Sequence, residues 1–208
     1  MFGTQNLVVF VLSGILLNLT PGQDTFYILG RSIAQGRCAG VLSVLGIASG
    51  TVVHTFAAAL GLSAILATSA RAFLILKLAG SIYLIYLGFK MVFYGAGKTA
   101  KPVEFTRESQ FAIYRAGFLT NLLNPKVALF FMAFLPQFVA PSADSKILAF
   151  LFLGGVFIST GTIWCLVLAW FGSAMSRRFR ENPSMGAALG RASGAIFVGL
   201  GVKLAVSK

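Results

Sequence analysis

The sequence is short of charge, and shorter still of acid. Only 11% of its 208 residues are charged, against 57% hydrophobic. Soluble domains carry roughly 25% charged residues, which is what a small fold needs to cover its surface. The shortage excludes a soluble globule and points to an all-α polytopic membrane protein. Histidine occurs once, at His54, and cysteine twice, at Cys38 and Cys165. Those are too few and too scattered for a metal-ligand set or a disulfide framework, so no metal and no cofactor is expected. The first 29 residues lack the basic start of a cleaved signal, and their apolar run is too long for one. They read as a retained first span. No linker is long enough to divide the chain, which reads as one membrane domain over 1–208.

Basic residues are plentiful by contrast: 17 Lys and Arg against five acids give a net charge of +12. In a soluble protein this would suggest nucleic acid. Here the charges sit in short clusters between apolar runs and leave no basic face outside the membrane. Nucleic acid is therefore excluded as a partner, and the bilayer takes its place. A span needs about 20 apolar residues. Six fit: 5–29, a segment within 38–70, 72–94, 112–138, 147–171 and 186–206. The first, third and fifth loops hold Arg31 and Arg37, then Lys98, Lys101 and Arg107, then Arg177, Arg178 and Arg180. The second and fourth hold only Arg71 and Lys146. The basic side is the cytoplasmic one, which puts both termini outside.

An internal repeat accompanies this plan. GILLNLTPG, from Gly14, resembles GFLTNLLNPK, from Gly117. Each opens a three-span half, 1–100 and 110–208, and an odd number of spans turns the second half upside down. Inverted repeats with broken helices recur in secondary transporters. Pro21 and Pro125 supply the breaks in the first and fourth spans. A helical proline cannot donate to the carbonyl four residues back, so the carbonyls of Leu17 and Asn121 lose their usual partners. In lipid such groups must face protein, water or ligand. Pro125 falls at the midpoint of its span. Pro21 lies about four residues past the midpoint of its own, roughly 6 Å along a helix. Asn18, Asn121 and Asn124 accompany the breaks and are expected to hold the freed backbone.

Of the five acids, Glu104, Glu108, Asp144 and Glu181 fall in loops, and only Asp24 belongs to a span. Asp24 is either the group that couples transport to protons or the structural partner of a cation such as Lys126 or Arg31. Lys126, beside the second proline, either receives a substrate carboxylate with the help of the adjoining helix end or neutralises Asp24. On the second span Gly46, Gly50 and His54 share a face that another helix can approach closely. Gly190 and Gly194 repeat that device on the sixth. Gly50 and His54 join the candidate substrate-binding residues, with His54 read as a core hydrogen-bonding group or a proton carrier. Tyr83 and Tyr86 read as aromatic packing on the third span.

Several stretches resemble the lysine-exporter/homoserine-resistance (LysE/RhtB) family. TPGQDTFYILGRSIAQG and the residues that follow are similar to its first two spans, LKLAGSIYLIYLGFKMV to its third, and FLTNLLNPKVALFFMAFLPQFV to its fourth. The resemblance implies an amino-acid exporter of the bacterial inner membrane, driven by the proton gradient; such a carrier can work as a homodimer, which the Gly46 and Gly190 faces would permit but do not require. The family's Pro-Gly element maps to Pro21 and Gly22, its acidic or amide position to Asp24, and its Asn-Pro-Lys to Asn124, Pro125 and Lys126. The family usually has a second proline where this chain has Gln23. The competing expectations are a channel or metal-ion exporter, which would want several His, Cys or acidic ligands together, and a membrane enzyme, for which no nucleophile motif is present.

Overall fold

The structure is a computed structural model that describes residues 2–94, 106–172 and 174, and single positions between 188 and 206. Its described residues are helical, apart from turns and one isolated bridge between Thr4 and Val139. Helix α1 spans Leu7–Leu19, α2 Gln23–Ala57, α3 Ser63–Thr68, α4 Ala70–Tyr94, α5 Gln110–Leu122, α6 Pro125–Leu129 and α7 Lys146–Trp170. A π-helical turn, Ala58–Leu62, joins α2 to α3. A π turn over Phe130–Phe134 and a 3-10 turn over Leu135–Phe138 extend α6. The expected third-loop residues Lys98, Lys101 and Glu104, the fifth-loop residues Arg177, Arg178, Arg180 and Glu181, and Gly190 lie outside the described residues.

Helix α2 is too long for one crossing: its 35 residues would extend about 52 Å against a hydrocarbon core of about 30 Å. It is interrupted at Gly36, whose φ of 82° suits glycine and strains other residues. Residues eight apart in a straight helix are separated by about 12 Å. A Cβ on Gly40 would nevertheless collide with the Ser32 side chain. The chain therefore folds back at Gly36, and α2 is a hairpin of two arms, 23–35 and 37–57. The turn sits where the sequence placed the first loop.

The second arm and α5 pack through glycine. Added Cβ atoms at Gly46 and Gly50 would strike the Tyr114 carbonyl and the Asn121 side chain, and one at Gly117 would lie 2.8 Å from the Ser43 carbonyl. This corrects one expectation. The Gly46 face is buried against α5 of the same chain, so it is not free to join a second copy. Gly154 of α7 packs as closely on Thr55, and Gly88 of α4 on the Gly194 carbonyl of the last helical stretch.

One core holds Phe10, Leu17, Phe130, Phe131, Phe134, Phe138, Leu153 and Phe157, with ring centroids 4.7–6.2 Å apart along its aromatic chain. It clamps α1 and α7 around the extended α6. Large apolar side chains also face outward: Ile75 and Ile82 on α4 and Ile163 on α7 are all about two-thirds exposed. Such a surface is costly in water and suits lipid. By length and composition Gln23–Ile65 and Lys146–Trp170 are apolar enough to cross a membrane, as is the pair Gln110–Leu122 and Pro125–Phe138, bent by 45° between its halves.

Candidate substrate site

The two proline breaks meet. Helix α1 ends at Leu19, and Thr20, Pro21 and Gly22 form a gap before α2. Helix α5 ends at Leu122, and Leu123 and Asn124 form the gap before α6. Pro125 takes the first turn of α6, where its missing N–H costs no helical bond. Asn124 caps that turn, its Oδ1 accepting from the Lys126 N–H at 3.0 Å. Across the gap, Lys126 Nζ donates to the Leu17 carbonyl at 2.7 Å and the Thr20 carbonyl at 3.0 Å. The carbonyl that Pro21 leaves without an amide is thus taken by a cation from the other break. The location is favourable on a second count, because the end of α1 carries the negative pole of its dipole.

Asp24 sits in the first turn of α2, at the positive pole. Its Oδ2 accepts from Asn121 Nδ2 at 2.9 Å, while its Oδ1 is buried without a partner among the described residues. Asn121 is spoken for on its other atoms: Thr51 Oγ1 lies 3.2 Å from its Oδ1, and His54 Nε2 lies 3.2 Å from its carbonyl oxygen. That carbonyl is the one released by Pro125. Between the breaks lies a cavity of about 50 Å³, bordered by Asn18, Gly22, Asp24, Asn121, Asn124 and Lys126. Small-molecule pockets run roughly 300–1,000 Å³, and a water takes about 30 Å³ of liquid. The site is partly enclosed and, as it stands, smaller than such a pocket.

Comparison with known proteins decides what kind of chain carries this geometry. Residues 15–208 match the LysE type translocator family. The chain belongs to that family. A "Leucine efflux protein" of Klebsiella pneumoniae is 28% identical over 204 residues, covering 98% of this chain and 96% of the relative. A "Homoserine/homoserine lactone efflux protein" of Salmonella typhimurium is 29% identical over 201 residues, covering 96% and 95%. An uncharacterized membrane protein of Pseudomonas aeruginosa is 30% identical over 210 residues, covering 99% and 97%. No solved structure matches the chain.

In this LysE-type chain six of the ten sequence-derived candidates border the cavity: Asn18, Gly22, Asp24, Asn121, Asn124 and Lys126. Pro21 and Pro125 shape the gaps without lining it. Gly50 and His54 do not line it either. Gly50 lets Asn121 approach α2, and His54 holds the Asn121 carbonyl. Asn18 also departs from expectation. Its side chain holds no freed backbone, and neither does that of Asn121, which is taken up by Asp24 and Thr51; the Asn18 Nδ2 is buried and has no partner among the described residues. Arg31 is not the partner of Asp24. It is buried and pairs with Glu108 at 2.7 Å, with further bonds to Gln35 and the Thr106 carbonyl. Lys126 makes no direct ion pair with Asp24, since its ammonium is turned to α1.

Sequence reasoning missed the other wall. Val44, Ile47, Ala48 and Thr51 of α2, with Phe157, Ile158, Gly161, Thr162 and Cys165 of α7, complete the lining. On α2 the glycines at 46 and 50 marked a real packing face, but the cavity lies one residue around the helix, about 100° away. The spacing 44, 47, 48, 51 was present as a signal. It reads as apolar core until the Thr is noticed. Cys165 and Cys38 are free thiols. Among the described residues no three His, Cys, Asp or Glu side chains gather as a metal site.

Proposed function

We propose that this protein exports amino acids with uncharged side chains, neutral or hydroxylated, across the bacterial inner membrane in exchange for protons. The observation that carries the reading is the Asp24 Oδ1, unpartnered among the described residues, in a small cavity at the junction of two interrupted helices. A buried carboxylate oxygen with no hydrogen-bond donor is an incomplete site. An ammonium group or a proton completes it, and the two exclude each other there. One site competed for by two cations is the minimum device for exchange. Substrate ammonium occupies Asp24 on the outward passage, and a proton occupies it on the return. Lys126 supplies positive potential for the substrate's other end. Among the described residues, Asp24 and Lys126 are the only charged ones bordering the cavity, so a charged side chain would find no counter-ion of its own there. The names of the leucine and homoserine efflux relatives agree with that limit.

The fold supports six spans arranged as two inverted halves. Arg31 and Gln35, beside the Gly36 turn, bond to Glu108 and Thr106 ahead of α5, which brings the first and third loops to one end. At the opposite end, Gln5 N–H donates to the Phe138 carbonyl and Ala140 N–H to the Gly3 carbonyl. The two broken segments therefore run antiparallel. The end holding Arg31, Arg37 and Arg107 is the basic one, hence cytoplasmic, with the N-terminus outside. Export requires the half-helices to part at the breaks, first on one side and then on the other.

Counterflow in proteoliposomes tests the reading. Labelled leucine, alanine and homoserine are expected to accumulate against unlabelled neutral amino acid, and lysine and glutamate are not. No counterflow for any member of the panel would overturn it. A conductance indifferent to amino acids would favour a channel instead.

A further inference from the structure

The cavity carries more specificity than its two charges. Of its polar groups, Lys126 Nζ already holds two carbonyls, and the Asn121 amide is spent on Asp24 and Thr51. Asn124 Oδ1 is spent on the Lys126 N–H. Among the described residues, two buried polar atoms on the lining are left without partners: an acceptor, Asp24 Oδ1, and a donor, Asn18 Nδ2. They come from opposite sides of the first break, one from the last turn of α1 and one from the first turn of α2. A molecule that ends in a cation on one side and an anion on the other would satisfy both.

Facing Asn18 is α7. Phe157, Gly161 and Cys165 recur every four residues and so share one face, which borders the cavity. Gly161 sits opposite the free amide: a Cβ there would lie 3.2 Å from Asn18 Nδ2 and 3.5 Å from its Oδ1. Any larger side chain would occupy the one stretch of α7 wall that backs onto the free donor. The lining also includes Phe157, Ile158, Val44 and Ile47, all apolar, together with the uncharged Thr162 next to Gly161.

We propose that Asn18 is the carboxylate-binding donor of the amino-acid site and that Gly161 is its size selector, the gap over α7 receiving the substrate side chain. This rests on the amino-acid exchange reading and refines it. It also changes the division of labour expected from the sequence, in which Lys126 took the carboxylate directly. Lys126 instead fixes the end of α1, and with it the position of Asn18 one residue after Leu17.

The test compares ratios within one preparation, so that the amount of folded protein cancels. Leucine, alanine and leucinamide counterflow is measured for the wild type, Gly161→Ala and Asn18→Asp. Gly161→Ala is expected to lower the leucine-to-alanine ratio about tenfold or more, the scale at which a pocket discriminates single carbons. Asn18→Asp places a negative charge where the substrate's own carboxylate binds, so leucine should fall about tenfold or more relative to leucinamide. If Asn18→Asp does not insert, Asn18→Ala is expected to bring the leucine-to-leucinamide ratio close to one. Wild-type ratios in Gly161→Ala, or in the Asn18 variants, would overturn the assignment while leaving amino-acid exchange intact. A wild type that moves no amino acid would overturn both.

Discussion

The two breaks differ in how they are closed. The second closes itself. Asn124 caps α6 with its own side chain, Pro125 fills a position that needs no N–H, and the Asn121 carbonyl accepts from the Asn124 N–H at 2.9 Å and meets His54. The first does not close itself. Gly22 caps α2 without a side chain, and the end of α1 depends on an ammonium group borrowed from the other half. The self-sufficient break acts as a platform. The dependent one is where the two unpartnered polar atoms lie. The free groups thus lie on the element with fewer bonds of its own, the kind of element from which moving segments are drawn.

The largest expected effect falls on the dependent break. Asp24→Asn removes the charge that a proton or ammonium neutralises, so export driven by a pH gradient should vanish while the protein still inserts. Robust gradient-driven export by that variant would end the coupling role of Asp24. Lys126→Met comes next. It strips both carbonyls at the end of α1, and each buried group left bare costs about 1–3 kcal/mol. A stability loss of about 2–6 kcal/mol is expected in detergent unfolding, together with loss of counterflow. If stability were unchanged, the first break would not depend on the second.

Much of this comparison was legible in the sequence. Charge scarcity gave the solvent, and the two prolines with their asparagines gave the location. Asp24 stood out because the remaining acids fall in loops. The partner of each freed carbonyl was not legible. That Leu17 would be served by Lys126, 109 positions away, depends on how two segments cross, and no local rule encodes it. The contribution of α7 was hidden for a different reason. Its Gly161 and Cys165 sit in a run of apolar and hydroxyl residues whose period does not mark one face, because lipid and protein interior are both apolar. At Gly36 the loop itself was legible, but not that helical bonding runs up to a single residue of positive φ from either side.

The smaller predictions probe the platform. Asn124→Ala removes a side-chain cap, for which about 1 kcal/mol is typical, and leaves the rest of the second break in place. A modest fall in unfolding temperature with counterflow largely retained is expected; total loss of counterflow would mean that Asn124 also touches substrate. His54→Gln should matter least. The imidazole reaches one carbonyl that already accepts from the Asn124 N–H, and a neutral hydrogen bond contributes about 0.5–1.5 kcal/mol. Glutamine can still donate there, so transport and its pH dependence should survive nearly unchanged. A proton-carrying His54 would instead shift or flatten the pH profile of export in this variant. The profile therefore separates a histidine that braces Asn121 from one that works alongside Asp24.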